Sequence, residues 1–270
     1  MSHFRISVRN ARFQQLEAIL NNRTKRTRAG EFLVQGVRPI TLAVEQGWKI
    51  RTLIFAADQK LSQWARELLT VDAETIAMSS ELMAELSGKD EGATEMLAVV
   101  EMPHDDLARI PVDSDFLGLV FDRPTQPGNV GTIIRSADAL GAAGLIVSGH
   151  GADPYDQKAV RASTGSIFAL PTVRENSVET VMAWVAEQRA AGVPIVVAAT
   201  DEHGETPVWD FDFTQPVLVL VGNETNGLSK AWREAADVTL SIPMAGAASS
   251  LNAGNAATLL MYEALRQRTR

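Results

Sequence analysis

Leu240-Ser-Ile-Pro-Met-Ala-Gly-Ala-Ala-Ser-Ser-Leu-Asn-Ala-Gly-Asn-Ala-Ala257 is the stretch that decides the fold. An apolar strand ends in it, a loop of small residues follows, and a helix is predicted from Leu251 to Arg266. A surface turn needs two or three glycines or prolines, whereas this loop devotes about ten positions to Ala, Gly, Ser and Met, residues that let backbone approach a ligand closely.

Upstream, continuous Val/Ile/Leu runs alternate with helical patterns. Phe116-Leu-Gly-Leu-Val-Phe121, Gly144-Leu-Ile-Val-Ser148, Pro194-Ile-Val-Val-Ala-Ala199 and Val217-Leu-Val-Leu-Val221 predict buried strands of a parallel sheet covered on both faces. Ligands of such sheets bind beyond the carboxyl ends of the strands, so the loops there carry the candidate chemistry. Asp122-Arg-Pro-Thr-Gln-Pro-Gly-Asn129 follows the first strand, with Asn129 expected to cap a helix that carries Arg135. Gly222-Asn-Glu-Thr-Asn-Gly-Leu-Ser229 follows the last; its two glycines let the backbone fold around Glu224. Ser250 and Asn252 stand at the start of the final helix, where free N–H groups favour polar or anionic partners.

The first hundred residues alternate helix and strand in shorter pieces. Phe13, Leu16, Ile19 and Leu20 fall at helical spacing, and Glu31-Phe-Leu-Val-Gln-Gly36 and Arg51-Thr-Leu-Ile-Phe-Ala56 read as strands. A polar stretch rich in Asp and Pro between Glu101 and Asp115 marks a domain boundary.

Composition narrows the class. No cysteine is present, which excludes disulfides and thiolate metal sites. No apolar run reaches bilayer length and the N-terminus lacks a signal segment, so a cytoplasmic protein with no membrane partner is expected. His3, His104, His150 and His203 show no metal-ligand spacing, and no metal is expected. Walker A and Gly-x-Ser-x-Gly motifs are absent, which disfavours an unrelated nucleotide-binding enzyme. The net charge of −8 argues against a nucleic-acid partner until its distribution is examined: residues 1–52 carry ten Lys or Arg against three acids, a net of +7, leaving −15 for the remainder. Arg23-Thr-Lys-Arg-Thr-Arg28 reads as a basic loop of the kind that contacts phosphates.

Taken in order, these loops resemble the SpoU (TrmH) family of RNA ribose 2'-O-methyltransferases, in the SPOUT superfamily. Asn129-Val-Gly-Thr-Ile-Ile-Arg-Ser-Ala137 is similar to that family's first motif and Gly222-Asn-Glu-Thr-Asn-Gly-Leu228 to its second. Ile242-Pro-Met-Ala-Gly246 through Ser250-Leu-Asn252 is similar to the third, and Lys158-Ala-Val-Arg-Ala-Ser-Thr-Gly165 to another recurrent segment. Glu31-Phe-Leu-Val-Gln-Gly-Val-Arg38 resembles the substrate-binding extension.

The resemblance implies an α/β protein in two parts: an N-terminal RNA-binding domain with a ribosomal-protein-like fold over 1–104, a linker over 105–115, and a parallel-sheet SPOUT domain with a deep trefoil knot over 116–270. It implies S-adenosylmethionine held by main-chain groups near Thr200, Gly222, Ile242, Met244 and Leu251, and a homodimer whose interface completes the active site. By the same carry-over Arg135 acts on the ribose 2'-hydroxyl, with Asn129, Glu224, Ser250 and Asn252 organising it and the methyl donor. A guanidinium resists deprotonation, so orientation or charge compensation suits Arg135 better than the role of base. Arg23, Lys25, Arg26, Arg28 and Arg38 are the expected RNA contacts. Ribosomal RNA is the expected substrate, with transfer RNA as the alternative. A non-catalytic RNA-binding protein that kept the fold would have lost Arg135, Glu224 or Asn252, and all three are present. The chain departs from the family where Ala253-Gly254 replaces a frequent Val-Ser and Gln35 a frequent Glu.

Overall fold

The computed structural model describes residues 3–88, 94–248 and 250–269. They divide into two compact units, one of residues 1–103 with 155–168, the other of 104–154 with 169–270.

The first unit runs β1 (His3–Ile6), α1 (Ala11–Asn21), α2 (Arg23–Ala29), β2 (Glu31–Gln35), α3 (Val37–Glu45), β3 (Ile50–Ala56), α4 (Gln63–Leu68), β4 (Glu74–Met78), α5 (Ser80–Ser87) and β5 (Met96–Glu101). Its sheet has the order β1-β4-β3-β5-β2, with β5 antiparallel to both neighbours. Phe13, Leu16 and Ile19 of α1 pack on Ile54, Ile76 and Val99 of the sheet, as the helical spacing of those residues requires.

The basic run Arg23–Arg28 is a helix rather than the expected loop. Asn22 Oδ1 accepts from the Lys25 amide at 3.0 Å, and Gly30, at φ 66°, closes the turn in the left-handed region. Arg26 consequently faces inward and is 2% exposed. Its guanidinium donates to the Ile19 and Leu20 carbonyls at 2.8 and 2.9 Å and lies 3.8 Å from Asp156. These orphan carbonyls at the end of α1 need a donor, and Arg26 supplies it. Arg26 is therefore a structural cation and not an RNA contact.

The second unit contains β6 (Leu117–Asp122), α6 (Pro127–Ala139) and β7 (Gly144–Ser148). Here the chain departs: α7 (Gln157–Ser163) lies in the segment that packs within the first unit. The chain returns for β8 (Thr172–Glu175), α8 (Val178–Ala190), β9 (Val196–Thr200), β10 (Thr206–Pro207), β11 (Val217–Val221), α9 (Lys230–Ala235), β12 (Val238–Ser241) and α10 (Ala253–Arg268). The seven strands pair in the order β10-β12-β9-β11-β6-β7-β8, every pair parallel. β6, β7 and β11 are buried along their whole length, which explains their unbroken apolar sequences.

The excursion 155–168 is anchored by aromatic packing inside the first unit. Phe32 lies 4.8 Å from the Tyr155 ring centroid, Trp48 lies 5.1 Å from Phe168, and Trp48 Nε1 donates to the Phe168 carbonyl at 2.9 Å. Thr164 and Gly165 both take positive φ, at 49° and 101°. A Cβ on Gly165 would meet Leu42 at 2.6 Å. The recurrent segment Lys158–Gly165 therefore ends in a turn that packing keeps free of a side chain. Arg161 within it binds the Ser87 carbonyl, and Gln35, with its amide oxygen oriented toward that guanidinium, completes the cluster.

The expected linker also carries structure. Ile110 is 4% exposed and belongs to the same apolar cluster as Phe116, Val120 and Trp184. Its side chain fills the space over Gly144, where any Cβ would come within 2.9 Å.

Candidate active site

Glu224 is the hub of the site. Its carboxylate accepts from the Thr125 amide at 3.0 Å and hydroxyl at 2.8 Å, from the Gln126 amide at 3.3 Å, and from Asn129 Nδ2 at 2.9 Å. Burial opposes its ionisation most strongly, but the donors from Asn129 and Thr125 together outweigh that cost and hold the carboxyl below its ordinary range. It is an anion at neutral pH, locked to the loop that opens α6.

Asn129 passes the connection on. Its Oδ1 accepts from Asn252 Nδ2 at 3.0 Å, while Asn252 Oδ1 caps α10 by accepting from the Gly254 and Asn255 amides at 2.9 and 3.4 Å. Asn129 was expected as a helix cap; instead it sits inside the first turn of α6, whose cap residue Gln126 makes no side-chain cap bond. Pro127 starts the helix with a fixed φ and no N–H to satisfy, which frees Asn129 for the site. Three loops distant in sequence are thus joined by Glu224, Asn129 and Asn252.

The loop around Glu224 is held by residues outside the expected set. Asp122, nearly buried, accepts from the Ser229 amide at 2.7 Å and pairs with Arg123. Arg123, at φ 47°, donates to the Gly227 carbonyl at 3.0 Å, and Asn223 Nδ2 donates to the Arg123 carbonyl at 2.6 Å. Asn223 and Gly227 close the turn through a pair of backbone bonds at 3.1 and 3.0 Å. Asp-Arg after an apolar strand carries no distinctive spacing, so sequence reading passes over these supports.

The loops expected to hold a cofactor come from adjacent parallel strands. Thr200 ends β9, Gly222 follows β11 and Ile242 follows β12, and these three strands are sheet neighbours. Thr200 Oγ1 donates to the Leu220 carbonyl at 2.8 Å, tying two of those strand ends together. A Cβ on Gly222 would lie 2.6 Å from the backbone of Gly227 and Leu228, so only glycine permits that approach. From Pro243 to Leu251 the backbone makes no hydrogen bond among the described residues, and Met244 and Leu251 expose apolar side chains. Unpaired main-chain groups beside exposed apolar groups are what a cofactor gripped by backbone requires.

Two expected catalytic residues stand apart from this network. Arg135 is exposed and makes no hydrogen bond or ion pair among the described residues. It lies six residues beyond Asn129 on α6, about 120° around an ideal helix from it. Ser250 is exposed and likewise without a described partner. In the first unit, Lys25 and Arg28 on α2 and Arg38 on α3 are exposed, as is Arg23.

Gly254, a departure from the resemblance, has a packing cause. A Cβ there would come within 3.0 Å of Thr132 Cγ2 on α6. One turn further on, Thr258 and Ser136 share a hydroxyl hydrogen bond at 2.8 Å, so α10 crosses α6 closely along small residues.

A parallel sheet with these three loops at its carboxyl edge defines a class, and comparison with known proteins identifies the same one. The SpoU rRNA methylase family model matches residues 117–262, and the SpoU L30e-like domain model matches residues 10–98. The chain belongs to the SpoU rRNA methylase family. It is 66% identical over 265 residues to the 23S rRNA (uridine(2479)-2'-O)-methyltransferase of Streptomyces viridochromogenes, covering 98% of this chain and 92% of that protein. With the 23S rRNA (guanosine(2553)-2'-O)-methyltransferase RlmP of Bacillus subtilis it shares 28% identity over 246 residues, 90% of this chain and 92% of that one. The crystal structure of the SpoU methyltransferase AviRb from Streptomyces viridochromogenes, in complex with the cofactor AdoMet, matches with a TM-score of 0.94 at 66% identity, covering 97% of this chain and 99% of that chain.

Proposed function

We propose that the protein methylates a ribose 2'-hydroxyl of ribosomal RNA, with S-adenosylmethionine as donor. The observation that carries this is the hydrogen-bond chain from Glu224 through Asn129 to Asn252, which fixes all three family motifs at one sheet edge, beside a stretch from Pro243 to Leu251 whose backbone makes no hydrogen bond among the described residues. Both relatives named above are 23S rRNA methyltransferases, which supports ribosomal over transfer RNA as the substrate, and a ribosomal RNA substrate is in keeping with the cytoplasm as compartment. Among the described residues, no helix is long and apolar enough to cross a membrane.

Thr200, Gly222, Ile242, Met244 and Leu251 are the residues that would hold the methyl donor. When bound, S-adenosylmethionine supplies an electrophilic sulfonium methyl. Glu224 keeps Asn129 and Asn252 in one geometry, and the exposed Ser250 stands two residues before Asn252 with no hydrogen bond from its hydroxyl among the described residues. The Arg135 guanidinium orients the ribose hydroxyl and its neighbouring phosphate, a positioning role that needs no strong base. Arg23, Lys25, Arg28 and Arg38 on the first unit contact the RNA.

The same proposal includes the trefoil knot at the β12–α10 connection and a twofold homodimer. Arg135 is exposed and makes no hydrogen bond to its own Asn129–Asn252 pair among the described residues, and Leu259 and Tyr262 of α10 are 45% and 56% exposed, which fits a second copy covering this helix and completing the site. The test is transfer of a labelled methyl group from S-adenosylmethionine to 23S rRNA. Arg135→Ala is expected to reduce turnover at least a hundredfold while calorimetry shows unchanged cofactor affinity. Retained turnover would remove Arg135 from the mechanism, and absence of transfer by the wild-type protein would overturn the proposed activity.

A further inference from the structure

We infer that a groove on the first unit, between α1, α2 and the sheet edge at β2, receives one unstacked nucleotide of the substrate RNA. This rests on the RNA methyltransferase function proposed above and specifies where the first unit grips its substrate. The groove has a volume of about 630 Å³, within the range of about 300–1,000 Å³ typical of small-ligand pockets.

Its lining combines three kinds of group. Lys25 and Arg28 are exposed cations whose side chains make no hydrogen bond or ion pair among the described residues, so they are free to meet phosphate. Leu16, Ile19 and Val99, core residues that are 1%, 7% and 1% exposed, close the bottom of the groove, and Ala11, Ala18 and Ala29 line its walls with small apolar groups against which the face of an unpaired base can lie. Gln14 and Glu31 at the margin offer the donors and acceptors that a base edge or ribose hydroxyl needs.

A fourth feature makes the wall rigid. Arg12 Nη2 is fixed by Glu74 Oε2 at 2.5 Å and Thr52 Oγ1 at 3.3 Å, and Thr52 in turn donates to Glu74 at 2.9 Å. Arg12 lines the groove, and its guanidinium, held in place by these bonds, would offer a planar surface of the kind on which bases stack.

This combination selects among ligands. A bare anion has no use for the apolar floor, and an apolar ligand none for two free cations. Base edges of an A-form duplex do not project far enough to enter a recess, whereas a nucleotide from a loop or bulge does. The surrounding sequence reinforces the charge argument, since residues 1–52 carry a net charge of +7 in a chain of −8.

The experiment measures filter binding of the full-length protein to a 23S rRNA transcript across a salt series. The double variant Lys25→Gln/Arg28→Gln should bind about tenfold or more weakly, and its log–log salt slope should shrink by about 1.4, the value for two single-strand phosphate contacts. Ala18→Trp, which fills the groove and keeps both cations, should weaken binding comparably. Calorimetric affinity for S-adenosylmethionine should stay unchanged in both variants. An unchanged affinity and slope in the double variant would overturn the site. So would full affinity in Ala18→Trp, which would leave a basic surface without a nucleotide pocket, or equal competition by polyglutamate or an RNA duplex. If wild-type protein methylates the transcript and these variants bind it normally, this inference fails while the methyltransferase function stands.

Discussion

Glu224 shows how one residue can be placed by sequence and explained only by its neighbours. Its carboxylate follows a buried strand, which marks it as a candidate, but the donors that stabilise it come from residues about a hundred positions earlier. Because these donors hold the folded carboxyl below its ordinary range, the stabilisation is fully present above that range. It is lost as pH falls through and below it. Glu224→Gln is expected to cost about 1–2 kcal/mol at neutral pH, a value discounted from the range of about 1.5–3 kcal/mol for hydrogen bonds to charged groups because the carboxylate is only partly buried. In thermal melts, the gap between wild type and variant should close as pH falls below the ordinary carboxylate range; a gap independent of pH would show that charge plays no part. Arg26 teaches the converse lesson, since its residue type and its run of basic neighbours suggested phosphate while its burial assigns it to the end of α1.

At the scale of elements, glycines decide how closely the parts meet. Gly222 lies where the Gly227–Leu228 backbone leaves no room for a Cβ, and Gly254 lets α10 approach Thr132 on α6. Gly222→Ala is expected to cost about 1–3 kcal/mol through overpacking, and to weaken S-adenosylmethionine binding at least tenfold by displacing the loop that carries Glu224. Urea unfolding and calorimetry measure the two effects separately; unchanged values in both would show that the loop tolerates the side chain. The long buried strands were legible in sequence because Val/Ile/Leu runs are distinctive. β10 was not, since two residues, Thr206 and Pro207, carry no periodicity and are a strand only by pairing with β12. β1 and β8, of four residues each, are likewise short, and the five-residue β4, Glu-Thr-Ile-Ala-Met, lacks a continuous Val/Ile/Leu run. α2 was misread because the basic composition outweighed the cap signals Asn22 and Gly30 that bracket it.

For the whole molecule, the exposed Leu259 and Tyr262 on α10, with an Arg135 that makes no hydrogen bond or ion pair among the described residues, lead to one expectation about assembly. If a second copy completes each site, Arg135→Ala and Asn252→Ala proteins, each inactive alone, should regain up to about a quarter of wild-type activity after mixing and subunit exchange, because half the dimers are mixed and each mixed dimer holds one intact site. No recovery, or a monomeric mass by light scattering, would contradict a shared site. The sequence by itself determined the strand–helix alternation, the three loops at strand ends, the basic bias of the first fifty residues and the resemblance those loops carry. Each of these is a local pattern, set by spacings of a few residues. Tertiary structure decided that Asn129 bridges Glu224 and Asn252, 95 and 123 positions away, that Arg26 is buried, and that 155–168 packs with the first unit. Those outcomes depend on which distant segments close together and which polar groups then need partners, and no local spacing encodes that.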